Sequence, residues 1–420
     1  MTGDFLFLDP GADVTRRDIY DLGRGLGMRV VLVSRALTWE RNLVDDWIEA
    51  DPTNPDDIAA KVAARSRPAG VVNCSESCLE TAARLAFIYG LPGPRVVTVH
   101  RCRDKIIMGE RLASADVPQA RRQVVTSPDE AEAAVKAVGM PVVLKPSTGV
   151  ASLFTVRCET AAELRARLRE FTAQISVHRP APLRRMCGRW LVEQYLDGPA
   201  FSVESLVTGD AVEHIAVCEK GRVTGPFFRE IGHSTPPRLA TGTVSELTEI
   251  AARAIRALGI DWGVTHAEFK FTSAGDPHML EIAARMGGGS IRQVVRLATG
   301  VDLVELTLRL ALGQRPAAVR TGTRADGVAA ASRSLYPPRP GRLVRIDTAG
   351  LSRLPGVQAV NQWLRPGESY RIPPDGYSEV CGVVTVGRTP DTAIRLADAA
   401  IDAAVRDGLV TLQSTMASTE

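Results

Sequence analysis

The sequence predicts a protein of mixed α/β and α+β class, built from two to four packed units, the first of which contains a parallel sheet. A chain of 420 residues is too long to bury a single hydrophobic core. Over about the first ninety residues, short apolar runs alternate with helical patterns, which is typical of a parallel βαβ sheet. After about residue 325, short β-like runs interrupted by prolines predict a β-rich unit.

The first unit is expected over residues 1–95. Gly90 should end its last helix, because a Pro92-Gly93-Pro94 break follows directly. The expected strands are 5–8, 30–33 and 70–72, and the expected helices are 16–26 and 77–89.

The second unit is expected over residues 96–325, with a small lobe at about 140–200. Ser127 and Glu130 have the spacing of a capping box, which predicts a helix that ends at residue 138. Residues 244–258 carry apolar side chains on one helical face, so a second helix should end at Gly259. The expected strands are 141–145, 201–207, 264–271 and 278–283.

The third unit, residues 326–410, should close with a helix that Thr389 caps and that stops at Gly408. Residues 411–420 are predicted to be a disordered tail. The sequence leaves open whether this unit completes a substrate pocket or forms the interface of a homodimer.

Composition and charge narrow the partners and the compartment. The 51 basic and 48 acidic side chains nearly cancel, leaving a formal net charge of +3, and no long run has one sign. We therefore expect neither nucleic acid nor a membrane surface as a partner. The first residues lack a basic flank and a long apolar core, so no signal peptide or membrane span is expected. The protein is predicted to be cytoplasmic.

Several catalytic classes find no support in the motifs. The glycines at 23, 25 and 27 precede a strand, whereas a dinucleotide-binding fingerprint follows one. No P-loop or nucleophile elbow is present, and the histidines lack metal-binding spacing. The cysteines form no zinc-type cluster and predict free thiols in a reducing cytosol. They are Cys74, Cys78, Cys102, Cys158, Cys187, Cys218 and Cys381.

Two strand segments carry acidic residues where a metal site could form. Because side chains alternate along a strand, His266, Glu268 and Lys270 should share one face. By the same rule Glu281 points away from the apolar neighbours in its strand. If the two strands pair as a hairpin, the carboxylates converge into a hard-oxygen site suited to Mg²⁺ with nucleotide phosphates. The alternative is a pair of solvent-facing glutamates.

Other segments suggest groups that bind phosphate. Lys145 ends a strand and precedes a loop, 147–152, whose small and hydroxyl residues could cover phosphates with backbone N–H groups. Lys105 opens a helix, where it could reach a phosphate as a point charge. Glu193 lies inside an apolar strand before a turn. Taken singly, these could be a surface lysine, a flexible hairpin and a strand end.

In their order and spacing, these motifs resemble the ATP-grasp superfamily, and within it the bacterial L-amino acid ligases, which are carboxylate–amine ligases that make dipeptides. The resemblance covers nearly the whole chain, and its most specific part is the segment 264–288. It implies an ATP-grasp fold with an N-terminal Rossmann-like pre-ATP-grasp domain and a C-terminal β-rich extension.

The resemblance also implies roles for individual residues. Lys105 and Lys145 would hold the ATP phosphates. Glu268 and Glu281 would bind one or two Mg²⁺ ions, with Mn²⁺ as a possible replacement. Arg285 would stabilise charge on the transferred phosphoryl group and on the acyl phosphate. The loop residues over the phosphates would include Ser147, Thr148 and Ser152, and the hinge that reads adenine would be Glu193, Gln194, Tyr195 and Leu196.

Substrate positions follow from the same resemblance. Glu230 and His233 match positions that face the amino-acid substrate, although a loop glutamate is often only solvated. Gly287 and Gly288 belong to a run of three glycines, which leaves room for a large substrate or serves a tight turn. Ala283 stands where many ATP-grasp enzymes carry asparagine, which leaves the number of metal ions open.

The activity implied is ATP-dependent joining of a carboxylate to an amine through an acyl phosphate, giving ADP and phosphate, with small molecules as the partners. One alternative is an ATP-grasp phosphotransferase or purine-pathway carboxylating enzyme, which should not need Glu230 and His233. Another is a regulatory module without catalysis, which the presence of Lys145, Glu281 and Arg285 disfavours. Fold alone does not separate these.

Overall fold

The computed structural model describes residues 3–9, 17–73, 75–149, 152–178, 188–221, 223–316 and 327–414. None of the helices in these ranges is long and apolar enough to cross a membrane. The α-helices are α1 Arg17–Gly25, α2 Pro55–Val62, α3 Leu79–Tyr89, α4 Val96–Arg103, α5 Lys105–Ala113, α6 Ala131–Val138, α7 Ala161–His178, α8 Thr241–Leu258, α9 Ile291–Thr299, α10 Leu303–Ala311, α11 Thr348–Ser352 and α12 Pro390–Arg406.

The strands form five sheets. They are β1 Asp4–Leu8, β2 Arg29–Ser34, β3 Asp46–Glu49, β4 Gly70–Asn73, β5 Arg122–Val125, β6 Val142–Pro146, β7 Val156–Cys158, β8 Trp190–Gln194, β9 Ala200–Thr208, β10 Ala211–Lys220, β11 Val223–Thr224, β12 Arg229–Glu230, β13 His233–Thr235, β14 Trp262–Phe271, β15 Pro277–Ala283, β16 Ala329–Ser334, β17 Gly341–Ile346, β18 Val357–Gln362, β19 Ser369–Tyr370, β20 Cys381–Gly387 and β21 Val410–Ser414.

The N-terminal sheet is parallel, in the order β3-β2-β1-β4, as the βαβ pattern predicts. Strands β1 and β2 are almost entirely buried, because helices cover both faces of such a sheet. Strand β3 was not predicted. It has four residues, of which only Ile48 is fully buried, so its apolar signal is weak.

A second sheet, β5-β8-β6-β7, packs against α6 and α7 around an aromatic core of Phe154, Phe171 and Trp190. It includes β5, so this lobe begins earlier than the expected residue 140. The predicted capping box does not form, because the Ser127 side chain accepts no hydrogen bond from the backbone of the following turn. Instead the amide and hydroxyl of Thr126 donate to Glu130.

The largest sheet is antiparallel and runs β15-β14-β9-β10-β13-β16-β20-β18. Helix α8 covers one face, and each of its predicted apolar positions is buried. Strand β16 pairs with β13, so the C-terminal residues extend this sheet across the expected boundary at 325/326. The pairing satisfies backbone groups that β13 would otherwise expose at an edge.

The end of the described chain differs from the expectation of a disordered tail from residue 411. Strand β21 pairs with β17, and Val410 is buried, because the strand completes the sheet beside β17. Helix α12 begins as predicted, with Thr389 Oγ1 accepting from the amide of Thr392, and it ends at Arg406, just before Gly408. Residues 415–420 lie outside the described residues, as do Cys74, Cys187 and residue 16 of the first expected helix. The cysteines that the structure describes are buried, and none of them forms a disulfide with another.

Candidate active site

A cavity of about 740 Å³ opens where the N-terminal sheet, the α6–α7 lobe, the long antiparallel sheet and the C-terminal strands meet. Residues from all four parts line it, among them Glu76, Lys145, Glu268 and Tyr336. Its volume is in the range of small-molecule sites. Most of the predicted site residues converge on this cavity, although their positions in the sequence are far apart.

The predicted hairpin forms, and it places two carboxylates opposite each other. Strands β14 and β15 pair antiparallel with Glu268 directly across from Glu281, and a β-bulge follows Glu268. Ala267 and Phe269 are fully buried in the core on the opposite face. Strand alternation therefore directs the acidic side chains to the cavity, as the sequence predicts.

Each carboxylate has its own lysine partner. Lys105 Nζ lies 2.9 Å from Glu281 Oε2, and Lys220 Nζ lies 2.7 Å from both Glu268 Oε2 and Glu230 Oε1. Burial would raise the pKa of Glu268, but Lys220 and the hydrogen bond from His266 outweigh it and hold that pKa well below its ordinary value. Burial likewise opposes the charge of Lys220, yet its two carboxylate partners raise its pKa above the usual range. Glu268 is therefore charged.

The donor chemistry at this hairpin fits a hard divalent cation. Two carboxylates face the cavity, and Mg²⁺ is typically held by one or two carboxylates while substrate phosphates and water complete its shell. No group of three or more metal-ligating side chains occurs among the residues that the structure describes. Glu268 and Glu281 are therefore the residues that would hold the ion.

Behind Glu268, the buried side chains of His266 and Glu204 form a chain of contacts that ends at the Glu268 carboxylate. His266 Nε2 lies 2.9 Å from Glu268 Oε1, and His266 Nδ1 lies 2.5 Å from Glu204 Oε1. Burial lowers the pKa of His266, but the two carboxylates outweigh it and raise the pKa to about 9. Glu204 is fully buried and also accepts from Ser202 Oγ and from the amide of Gly287. The imidazolium thus links the glycine run to Glu268.

The lysine predicted to hold phosphates lies beside the hinge carboxylate. Lys145, in β6, pairs with Glu193 of the neighbouring β8 at 2.6 Å. Lys105 is the first residue of α5, whose N-terminus is capped by Asp104. The amide of Lys105 donates to the carbonyl of Ser147, which ties this helix to the end of β6. Both lysines line the cavity.

Some of the predicted loop and hinge residues line the cavity, and others do not. Of the predicted hydroxyl groups, Ser152 lines the cavity, whereas Ser147 and Thr148 are not part of its wall. The Ser147 amide and carbonyl already bond to Arg189 and Lys105. Residues 150 and 151 of this loop lie outside the described residues.

In the hinge, Glu193, Tyr195 and Leu196 line the cavity and Gln194 does not, because strand alternation turns it away. The amides of Gln194 and Tyr195 donate to the carbonyls of Arg121 and Pro141, so these two donors are already used within the protein.

The residues predicted to face the substrate lie next to Lys220. His233 Nε2 is 3.4 Å from Glu230 Oε2 and, although buried, makes no hydrogen bond. Burial would raise the pKa of Glu230, but Lys220 and His233 outweigh it and lower the pKa to about 2. Gly288 also lines this part of the cavity, and a Cβ placed on it would meet nothing within 4 Å.

A carboxylate of the N-terminal unit forms an ion pair with Arg285. Its guanidinium bonds the Glu76 carboxylate, which also pairs with Arg103 at 3.2 Å. Burial alone would raise the pKa of Glu76, but the two guanidinium groups hold it below its ordinary value. Glu76 follows strand β4, whose carboxyl end points to this part of the cavity, as is usual for ligand sites in parallel sheets.

Sequence reasoning assigned no role to Glu204, Lys220, Glu76 or Glu379, which belong to or line this site. The available signals were weak. Glu204 interrupts an otherwise apolar, buried strand, and Lys220 is the buried last residue of a long strand. Charged residues at such positions require partners. The partners themselves come from other strands and become visible only in the folded chain.

Comparison with known proteins gives two family matches. Residues 138–293 match the ATP-grasp domain, and residues 333–405 match the L-amino acid ligase C-terminal domain 2. A protein of Sinorhizobium fredii without an assigned activity is 31% identical over 340 residues, which cover 80% of this chain and 68% of that protein.

Relatives with named activities are more distant. Alanine–anticapsin ligase of Bacillus subtilis is 24% identical over 62% of this chain and 58% of its own length. Human carnosine synthase 1 is 26% identical over 78% of this chain and 42% of its own length. The matched segment thus spans less than two thirds of either enzyme.

Solved structures share the fold over almost the whole chain. The L-amino acid ligase of Bacillus licheniformis superposes with a TM-score of 0.85 at 21% identity, covering 99% of both chains. Biotin carboxylase of Campylobacter jejuni gives a TM-score of 0.73 at 16% identity, covering 98% of this chain and 92% of its own. At these identities the likeness establishes the fold alone.

Proposed function

This chain belongs to the ATP-grasp family of carboxylate–amine ligases, and we propose that it joins an amino acid or amino-acid-like acid to an amine through an acyl phosphate. The products would be an amide or peptide, ADP and phosphate. The observation that carries the proposal is the convergence of Glu268, Glu281, Lys105, Lys145 and Arg285 on one cavity. These groups are oxygen ligands and fixed cations, which phosphoryl transfer from ATP to a carboxylate requires.

The first step activates the acid. A carboxylate is a poor electrophile because its charge repels a nucleophile, and attack of its oxygen on the γ-phosphoryl group of ATP converts it into an acyl phosphate. Lys105 and Lys145 would neutralise the phosphate oxygens, and Glu268 and Glu281 would hold the Mg²⁺ ion. When bound, that ion supplies positive charge at the phosphate oxygens.

The second step forms the amide bond. A neutral amine attacks the acyl carbon, and phosphate leaves with the electrons of the carbon–oxygen bond. Arg285 is a permanent cation on the cavity wall, and its bond to Glu76 fixes its direction. It would stabilise the negative charge on the acyl phosphate and on the tetrahedral oxygen.

Glu230 and His233 support an amino acid as the substrate. They line the cavity beside Lys220, which links Glu230 to the carboxylate Glu268. An enzyme that activates bicarbonate should not need these two residues, because its acid carries no amino group or side chain for them to contact. The names of two relatives, alanine–anticapsin ligase and carnosine synthase, also support an amino acid as the substrate.

The test is the release of ADP and phosphate from Mg-ATP in the presence of carboxylic acids and amines, singly and in pairs, with hydroxylamine as a trap. We expect release that depends on an acid, with formation of its hydroxamate. Glu281→Gln serves as the inactive control. Release of AMP and pyrophosphate would contradict the acyl-phosphate route, because it indicates an acyl adenylate.

A further inference from the structure

One carboxylate on the cavity wall differs from the others in its partners. Glu379 lies just before β20 and lines the cavity. Its carboxylate accepts a hydrogen bond from Ser334 Oγ at 2.7 Å and another from the hydroxyl of Tyr336. Among the ion pairs of the described residues, none involves Glu379, whereas Glu230, Glu268 and Glu281 each pair with a lysine.

The charged groups near Glu379 do not neutralise the charge of its carboxylate. Burial raises its pKa and is opposed by the two hydrogen bonds and by His233, while the charge of Glu230 raises the pKa further. Arg229, a cation on the same wall, lies over the ring of Tyr336 and bonds the hydroxyl of Tyr370. A partly buried carboxylate that has no counter-ion is stabilised when a cation binds to it.

Three aromatic residues line the same cavity as Glu379. They are Tyr336, Trp363 and Tyr377. The amide of Trp363 donates to the carbonyl of Val380, the residue after Glu379, and Tyr377 lies two residues before Glu379. The faces of such rings attract an ammonium group by up to about 2 kcal/mol when it is desolvated. A cavity wall that carries both a carboxylate and aromatic rings has the composition expected of a site for an organic cation.

Glu230, which the sequence suggested as the substrate-facing carboxylate, is less suited to bind a cation. Lys220 already lies 2.7 Å from it. An incoming ammonium would have to share that carboxylate with Lys220, and the two positive charges would repel each other. No lysine or arginine among the described residues forms an ion pair with Glu379.

We propose that Glu379 determines substrate specificity by binding the ammonium group of the acid substrate, with Tyr336, Trp363 and Tyr377 as the surrounding wall. This inference rests on the proposed function and names the substrate class as ammonium-bearing acids. An amine held as ammonium by a carboxylate has no lone pair for attack. The acid substrate is therefore activated only at its carboxyl group and does not serve as its own nucleophile.

The test compares acids that differ only by an ammonium group. The pairs are glycine and acetate, β-alanine and propionate, 4-aminobutyrate and butyrate, and 6-aminohexanoate and hexanoate. Hydroxamate formation with Mg-ATP gives kcat/KM for each member with the wild-type protein, with Glu379→Gln, and with Glu246→Gln, a control on the exposed face of α8. The pair with the largest preference would also report how far the ammonium lies from the carboxyl group.

The wild-type protein should prefer the ammonium-bearing member of at least one pair. Glu379→Gln should lower that preference by about 30-fold or more, the effect of removing one partner of a buried charge pair. Turnover of the member without an ammonium group by Glu379→Gln, and turnover of both members by the Glu246→Gln control, should stay close to wild type. An unchanged preference, or equal slowing of both members, would overturn the inference and leave Glu379 as a hydrogen-bond acceptor for Ser334 and Tyr336.

Failure of the proposed function gives a different result. If no acid promotes ADP release by the wild-type protein, the ligase proposal fails for these acids, and the subsite is tested by thermal melting instead. The ammonium-bearing acids should then raise the Tm of the wild-type protein and not that of Glu379→Gln. Equal shifts in both proteins, or none in either, would overturn the subsite.

Discussion

Glu268 and Glu281 lie directly opposite each other on two antiparallel strands, and a different lysine neutralises each of them. Like charges at such a cross-strand position destabilise a sheet. Lys105 comes from helix α5 and Lys220 from strand β10, so separate elements compensate the two carboxylates. The repulsion between the two carboxylates opposes folding, and the two lysines offset it.

Replacing either carboxylate should therefore remove activity without unfolding the protein. We expect Glu268→Gln and Glu281→Gln to lower ATP-dependent turnover at least about 100-fold, the usual effect of removing a group that stabilises developing charge. In Glu281→Gln the loss of the Lys105 ion pair is offset by the removal of repulsion between the two carboxylates, so the free energy of unfolding should stay within about 1 kcal/mol of wild type. Glu268→Gln should cost about 1–3 kcal/mol, because the buried Lys220 and His266 lose a charged partner. ADP release and urea denaturation measure the two effects. Normal turnover in either variant would contradict the assignment.

Removal of divalent cations tests the same carboxylates by another route. EDTA should abolish ADP release, and added Mg²⁺ or Mn²⁺ should restore it, because the two glutamates offer only oxygen ligands. In Glu281→Gln the metal concentration for half-maximal activity should rise. Turnover that persists in EDTA would show that phosphoryl transfer here does not use these carboxylates as metal ligands.

The faces of the strands can be predicted from the sequence, whereas the ion-pair partners of the charged side chains cannot. Alternation around Glu268 predicts which side chains face the cavity, because period two is a local property of a strand. Lys220 could not be assigned, because its two carboxylates come from β12 and β14. The bond between Glu76 and Arg285 likewise joins two units that are distant in sequence. Local patterns thus predict the elements and their faces, and tertiary packing alone brings these charges together.

Lys220 should contribute to stability as well as to the site. Lys220→Met would leave Glu230 and Glu268 close together without the lysine that both contact, and breaking a buried ion pair of this kind costs about 3–5 kcal/mol. We expect Glu230→Gln to recover part of that loss in the double variant, because only one carboxylate has then lost the lysine. Urea denaturation of the two single variants and the double variant measures the coupling. Strictly additive losses would show that the pair does not interact.

Glu76 should make stability depend on pH. Burial would raise its pKa, yet Arg285 and Arg103 hold the pKa below its ordinary value. A carboxyl group of this kind stabilises the fold at pH values above its unfolded pKa, and the contribution disappears as pH falls through the folded pKa. Glu76→Gln should therefore be about 3–5 kcal/mol less stable than wild type at pH 7, and the difference should shrink in acid.

Denaturation of both proteins at a series of pH values provides this comparison. A difference that stays constant from neutral to acidic pH would mean that the charge of Glu76 does not stabilise the fold. Turnover offers a second readout, since Arg285 loses its partner in the variant. Activity should fall through kcat more than through KM if Arg285 acts on the acyl phosphate.

The sequence left two roles open for the glycine run 287–289, namely room for a large substrate or a tight turn, and the structure distinguishes between them residue by residue. Gly289 has a φ of 57°, which a turn requires and which favours glycine. A Cβ on Gly287 would lie 2.8 Å from Ile291 and 2.9 Å from His266, so this glycine is needed for close packing. A Cβ on Gly288 would meet nothing within 4 Å, and this residue lines the cavity. Only Gly288 is thus free to influence substrate size.

Gly288→Leu should therefore narrow the cavity while leaving the fold intact. We expect unfolding free energy to change by no more than about 1 kcal/mol, whereas Gly287→Ala, the matched control, should cost about 1–3 kcal/mol through the clash with Ile291 and His266. In Gly288→Leu the KM for acids with large side chains should rise, and the KM for small acids should stay near wild type. A uniform rise for all acids would instead indicate that the new side chain blocks the phosphoryl-transfer position.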